Sequence, residues 1–302
     1  MRGAPLVAAA LLCGCGMAQP VRLSRPRDIP EVPRSFVEEL FARRRAPGLT
    51  VKVYSVASLK VRGEFVSSLK SPEASLKLAV PVFLIKHPEQ GRILVDTGVS
   101  PHQAAPPFEM GQGQDIVSQL AADGISAQSV RWVIQSHLHK DRAGMIDEFP
   151  QATVIVDQRE WTLPGGSPRQ GISTAGLESR IKLRQVNLST APAFGAFDHA
   201  LDLFGDGALF LVDLSGHSPG NLGVWLNLDS GPALIAGGAS TVIDNHEELA
   251  LPDPSLMWNA ELYVRRLYQL REIKQAAPRL LIVPANDLSP LRVSPRPDIA
   301  LR

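Results

Sequence analysis

Two imidazoles and a carboxylate are spaced for metal chemistry in Ser136-His137-Leu138-His139-Lys140-Asp141-Arg142-Ala143-Gly144. The segment follows directly on Val130–Gln135, an apolar run of strand length. Histidines at i and i+2, where a chain leaves a sheet, can turn both rings to one side. Neutral imidazole is a good Zn²⁺ ligand, and a third protein ligand plus a water completes a tetrahedral catalytic site whose water has a pKa near ~7. A further histidine, His217, lies downstream in Leu214-Ser215-Gly216-His217-Ser218-Pro219-Gly220, again after an apolar run. Taken alone the string is suggestive, and its plainer alternative is a pair of solvated or core-edge histidines.

The elements that must position these residues are read from hydrophobic periodicity. Val51–Val56 alternates as a half-buried strand does, and Val80–Lys86 and Arg92–Val95 flank His87-Pro88-Glu89-Gln90-Gly91 as a hairpin. Asp115–Ala122 reads as a helix ending before Gly124. Further strands are expected at Thr153–Val156, Ala208–Leu214, Leu222–Leu228, Ala233–Ile235 and Leu280–Val283, with a long amphipathic helix over Trp258–Gln275. Pro164–Ser173 is a Gly/Pro/Ser loop of the kind that rims a site. Strands and helices in mixed order predict an α/β sandwich.

Leu94-Val95-Asp96-Thr97-Gly98 lies upstream of the paired histidines, and Val283-Pro284-Ala285-Asn286-Asp287 lies far downstream. With these motifs in this order, the chain resembles the metallo-β-lactamase superfamily from about Leu49 to Pro290, and within it the branch similar to acyl-homoserine-lactone lactonases. The resemblance implies a four-layer αββα sandwich with its metal at one edge between two sheets. It implies that His137, His139 and His217 hold the first metal. Of the second-metal positions, Asp141 is present, Arg142 stands in place of a His, Gly238 in Ala236-Gly237-Gly238-Ala239 replaces a bridging Asp, and Asn286 replaces a late His. Thr241 stands where such lactonases place a Tyr. Asp141 and Asn286 are thus at most weak remnants of a second site: a neutral amide is a poor Zn²⁺ ligand, and Arg142 brings a fixed positive charge. The resemblance assigns Asp96 to bracing the motif loop. Gly98, Gly144, Gly216 and Gly220 read as backbone devices near the site.

Two functional readings follow. One is a hydrolase with a single zinc, or another divalent metal, acting on a small-molecule ester, lactone or amide. Its metal-bound hydroxide would be oriented by Asp141, with Arg142 fixing that carboxylate or stabilising an anion. The other is a catalytically inactive binding or scaffold domain, for which the replaced second-site residues argue. The remaining histidines are assigned no metal: His87 and His102 read as solvated loop residues and His199 as a surface residue, while His246, eight positions after Gly238, could swing toward the site as a substitute ligand but is not assigned to it. Trp161, Trp225 and Trp258 read as core or pocket wall.

Composition sets the outer bounds. In 302 residues, Lys+Arg 31 against Asp+Glu 30 gives a net charge of +1, which offers nucleic acid no electrostatic handle. Hydrophobic residues at 44% and charged residues at 20% support a packed globular core. Residues 1–15 read as an export signal: Arg2, an apolar run from Ala4 to Leu12, then Cys13-Gly14-Cys15, which resembles a bacterial lipobox with Cys15 as the lipidated residue. The expectation is an exported lipoprotein that touches membrane only through that lipid. Ordinary cleavage after Ala18 would release a secreted or periplasmic protein instead. Residues 16–48 read as a Pro/Arg-rich linker and N-terminal arm with a helical patch around Ser35–Arg45. Its Arg43-Arg44-Arg45 run reads as a solvated face. Residues 49–290 form the metallo-β-lactamase-like domain and 291–302 a C-terminal tail. Both cysteines fall in the leader, so the domain is expected to hold neither disulfide nor thiolate ligand.

Overall fold

The computed structural model describes residues 25–26, 29, 31–42, 48–167 and 170–302. The segment read as an export signal, the expected lipidation at Cys15 and the Arg43–Arg45 stretch lie outside these described residues. Among the described residues, no helix is long and apolar enough to cross a membrane.

Period-two alternation builds two sheets. The first holds β1 (Thr50–Arg62), β2 (Ser75–His87), β3 (Gly91–Val95), β4 (Phe108–Glu109), β5 (Val130–Ile134), β6 (Thr153–Asp157) and β7 (Lys182–Val186). The second holds β8 (Ala200–Asp202), β9 (Leu209–Asp213), β10 (Leu222–Leu228), β11 (Gly231–Ile235) and β12 (Leu281–Val283); β13 (Ile299–Leu301) returns to the first. Strand order is β13-β1-β2-β3-β5-β6-β7, with β4 on β1, and β12-β11-β10-β9-β8. Strands β3, β5, β6 and β7 run parallel, and β11 runs parallel to β12.

Successive side chains point to opposite faces of a strand, and the burial follows that rule. Ile93 and Val95 of β3, Ile134 of β5, and Leu209 and Leu211 of β9 meet in one core between the sheets. Their neighbours Leu94 and Val133 face a second core, closed by Ile116 and Leu120 of α1 (Ile116–Ala122). Phe210, Trp225 and Leu234 face a third, closed by Leu270 and Ile273 of α2 (Ala260–Ala276). Helix–sheet–sheet–helix is therefore the layer order, the αββα sandwich expected from sequence. Asp115 and Asn259 cap the two helices through side-chain bonds to Ser118 N and Leu262 N.

Two segments extend beyond the expectation. β2 starts at Ser75 rather than Val80, because Ser75–Ala79 pairs with the far half of β1 as a ribbon whose faces are not cleanly apolar or polar. Residues 291–302 are no loose tail: Val51, Lys52 and Val53 pair in parallel with Ile299, Ala300 and Leu301, and Asp298 accepts from Ser230 N (2.8 Å) and Oγ (2.6 Å). A three-residue edge strand behind Pro295 and Pro297 carries too little periodicity to be read from sequence. The N-terminal arm also joins the domain. Its helix, Arg34–Ala42, buries Phe36 in the third core, with its ring 5.2 Å from Phe194 and 6.4 Å from Trp225.

Candidate metal centre

Polar residues gather where β3, β5, β9, β11 and β12 end. The loop after β5 carries His137 and His139, the loop after β9 carries His217, and the last two strand ends bring Gly238 and Asn286 to the same edge. The three rings pack edge to face, with centroids 4.6 Å (His137–His139), 4.8 Å (His137–His217) and 4.8 Å (His139–His217) apart. One ligand atom from each lies within 4.8 Å of the others.

Hydrogen bonds fix which nitrogens are free. His217 Nδ1 faces Leu256 O at 2.6 Å, and His139 Nε2 faces Gly165 O at 2.9 Å. A carbonyl only accepts, so both nitrogens carry protons. The two that remain, His217 Nε2 and His139 Nδ1, face each other at 3.2 Å with lone pairs on both sides. Two acceptors at that separation call for a cation between them. The N···N edge of a tetrahedron with Zn–N near ~2.05 Å is about 3.3 Å, so the donor set fits zinc. Burial, with His139, His217 and Arg142 nearby, pushes His137 well below the ordinary imidazole value. Burial and then His139 bring His217 to about 3. Both are neutral at pH 7, as ligands must be.

The residues around the trio hold it in place. Asp96, at φ 63°, accepts from Ser136 N (2.8 Å) and Ser136 Oγ (2.9 Å), and that Oγ lies 3.0 Å from His137 Nδ1. Burial raises the Asp96 carboxyl to about 7, against the pull of Arg142. Gly216 has φ 142°, and a Cβ there would meet Tyr263 N at 2.6 Å. Gly98, Gly144 and Gly220 sit where a Cβ would collide with Val56, Lys140 O and Glu160 respectively. Sequence reasoning missed three participants. Ser136 links Asp96 to His137, Gly165 presents its carbonyl to His139, and the buried Glu160 binds the loops around both motifs. The Gly-rich loop at Pro164 was a signal for the second; a lone Glu in Gln158-Arg159-Glu160-Trp161 offered none for the third.

Beside the trio, Arg142 Nη2 donates to Asn286 Oδ1 at 2.8 Å and lies 3.2 Å from Asp141 Oδ2. The Asn286 amide donates to Ala79 O at 2.7 Å. Gly238 presses on a ligand ring: a Cβ there would stand 2.0 Å from His217 Cδ2. Asp141, Arg142, Asn286 and Thr241 line a cavity of about 290 Å³ together with the three histidines. His246 is elsewhere: its Nδ1 meets Ser240 Oγ at 2.9 Å. His87 is buried rather than solvated, its Nδ1 accepting from Glu89 N and Gln90 N (both 3.2 Å) in the hairpin turn and its Nε2 3.0 Å from Asp206. His102 is exposed, and His199 is half-buried with Nδ1 against Ala191 O. Trp225 and Trp161 are core, and Trp258 is 44% exposed.

An αββα sandwich with a buried histidine trio at the sheet edge is the framework of a metal-dependent hydrolase. Residues 77–277 match the family model described as the metallo-beta-lactamase superfamily, and the chain belongs to that superfamily. It is 32% identical to the N-acyl homoserine lactonase AttM of Azorhizobium caulinodans over 65% of this chain and 78% of that one. To AttM of Agrobacterium fabrum it is 31% identical over 67% and 81%. In structure it is similar to a B. thuringiensis AiiA variant with N-decanoyl-L-homoserine bound at the active site. The TM-score is 0.66 at 20% identity, covering 81% of this chain and 96% of that one.

Proposed function

We propose that the protein is a hydrolase holding one zinc ion on His137, His139 and His217, and that it opens lactones or related esters bearing an apolar acyl group. The observation that carries the single-ion reading is the Arg142–Asn286 bond of 2.8 Å. A guanidinium and a committed amide stand together beside the trio, and Gly238 has no room for a side chain against His217. The named relatives make lactones the first substrates to try. Leu59, Phe65, Val66, Pro107, Phe108 and Leu256 give the cavity an apolar side suited to an acyl chain.

A cation bound by the trio supplies Lewis acidity, polarising a carbonyl and acidifying water. The chain's own groups do the rest. Asp141, 15% exposed in its side chain and lining the cavity, accepts a proton at its carboxylate and passes it to the departing oxygen. Arg142 orients that carboxylate, and its charge stabilises negative charge growing on the substrate. Asn286, anchored to Ala79 O, holds the guanidinium. The apolar side excludes water from the acyl portion.

Metal content tests the reading. One zinc per chain in the parent, lost in His139→Ala, with lactone ring opening by the parent alone, is the expected result. Two zinc ions per chain would sink the single-ion assignment. A loaded but inert protein, across lactones and esters of varied acyl length, would turn the assignment to a binding domain.

A further inference from the structure

Glu160 is completely buried on the short helix Gln158–Thr162, yet among the described residues no cation pairs with it. Its oxygens are instead filled by four neutral donors. Oε1 accepts from Leu138 N at 2.8 Å and Gly165 N at 2.7 Å. Oε2 accepts from Ser218 Oγ at 2.6 Å and Gly220 N at 2.9 Å. A carboxylate offers about four lone-pair sites, so this one is saturated.

The four donors come from three loops that are separate in sequence, and each touches a metal ligand. Leu138 is the residue between His137 and His139. Gly165 supplies the carbonyl that takes His139 Nε2, and a Cβ on it would meet His139 Cδ2 at 2.3 Å. Ser218 follows His217, and Gly220 packs on Glu160 itself, with a Cβ there 2.6 Å from Glu160 Cβ. Neighbouring Arg159 points away to Asp157 and Asp213.

We propose that Glu160 is a positioning residue that sets the mutual placement of the three histidine ligands, tying both histidine motifs and the carbonyl that orients His139 to one buried carboxylate. The inference rests on the trio binding metal. Its chemistry is specific to a carboxylate: a glutamine of the same shape presents an NH₂ to two of the four donors, losing two bonds and opposing N–H to N–H or O–H. Outer groups that orient ligands change metal affinity by about 10- to 100-fold when altered.

The test compares parent, Glu160→Gln and Ser218→Ala as full zinc proteins, by chelator competition and by the visible absorption of the cobalt-exchanged forms. Glu160→Gln is expected to keep the parent's far-ultraviolet circular dichroism, to bind zinc at least about tenfold more weakly, and to shift the cobalt bands as the ligand field distorts. Ser218→Ala, which removes one donor and keeps the charge, is expected to weaken zinc binding a few-fold and in the same direction; it carries the test if Glu160→Gln does not fold. Parent-like zinc affinity and cobalt bands in the variants, beside a parent that binds metal, would overturn the positioning role and leave the metal site standing. A parent that binds no zinc would overturn both.

Discussion

The carboxylate and guanidinium at Asp141 and Arg142 decide what chemistry a three-histidine site can perform. An ion pair at 3.2 Å to a buried guanidinium fixes the direction of the carboxylate. Asp141→Asn keeps the size and the contact with Arg142 but removes the proton acceptor. Turnover is expected to fall by roughly 10²- to 10⁴-fold with zinc content unchanged, measured by initial rates on a lactone and by metal analysis of the same sample. Undiminished turnover would remove Asp141 from proton transfer. At this scale the residue types that bind metal were legible, because His137, His139 and His217 carry their chemistry in their side chains. Ser136, Glu160 and Gly165 were not, because their contribution is to bring distant backbone together. Glu160 looks in sequence like any acidic residue beside an arginine; only burial beneath three loops gives it a role. The orientation of Arg142 was likewise hidden, since Asn286 and Ala79, which anchor it, lie 144 residues after it and 63 before it.

The elements were easiest to read where one strand faces two cores. In Leu209–Asp213 and Leu222–Leu228 both faces are apolar, and the runs stand out against their turns. Lys182–Val186 was missed because only one neighbour pairs with it and Lys182, Arg184 and Gln185 are exposed, so it has the composition of a loop. β13 was missed for a related reason: its order comes from Asp298 and from β1. The Arg34–Ala42 helix, read in the sequence as a helical patch around Ser35–Arg45, likewise takes its order from tertiary contacts. It has little propensity advantage of its own, and short helices are held mainly by tertiary packing. Phe36 supplies that packing, filling a space against Phe194 and Trp225 that a Cβ on Gly195 would close, since it would stand 2.2 Å from the Phe36 ring. Phe36→Ala is therefore expected to cost about 3–5 kcal/mol of unfolding free energy in urea titration, with zinc binding retained. A loss below about 1 kcal/mol would mean that the arm docks by other contacts.

For the molecule as a whole, the conditions that keep the metal ligands neutral also govern acid stability. Burial is the largest cause lowering His137, His217 and His246. His246 has the most separable effect because it binds no part of the candidate site. Burial, reinforced by Lys274 and opposed by Asp287, lowers it to about 4. An imidazole free in the unfolded chain titrates near ~6.5. A folded value below the unfolded one means that the unfolded chain takes up the proton first. The stabilisation is fully present above pH ~6.5 and is lost as pH falls towards 4. From pH 7 to pH 5 the difference amounts to roughly 2 kcal/mol. His137 and His217, lowered for the same reason, act in the same direction in metal-free protein. Asp96 acts oppositely: with its folded value raised to about 7, its contribution is present at low pH and is lost as pH rises through 7. A plain acid titration therefore mixes these signs, and a comparison at one position separates them. His246→Asn retains a donor for Ser240 but cannot titrate. Chemical unfolding of zinc-loaded parent and variant at pH 7 and pH 5 is expected to show the parent losing roughly 2 kcal/mol more than the variant over that interval. Equal losses would show that His246 takes up its proton in the folded protein as readily as in the unfolded chain.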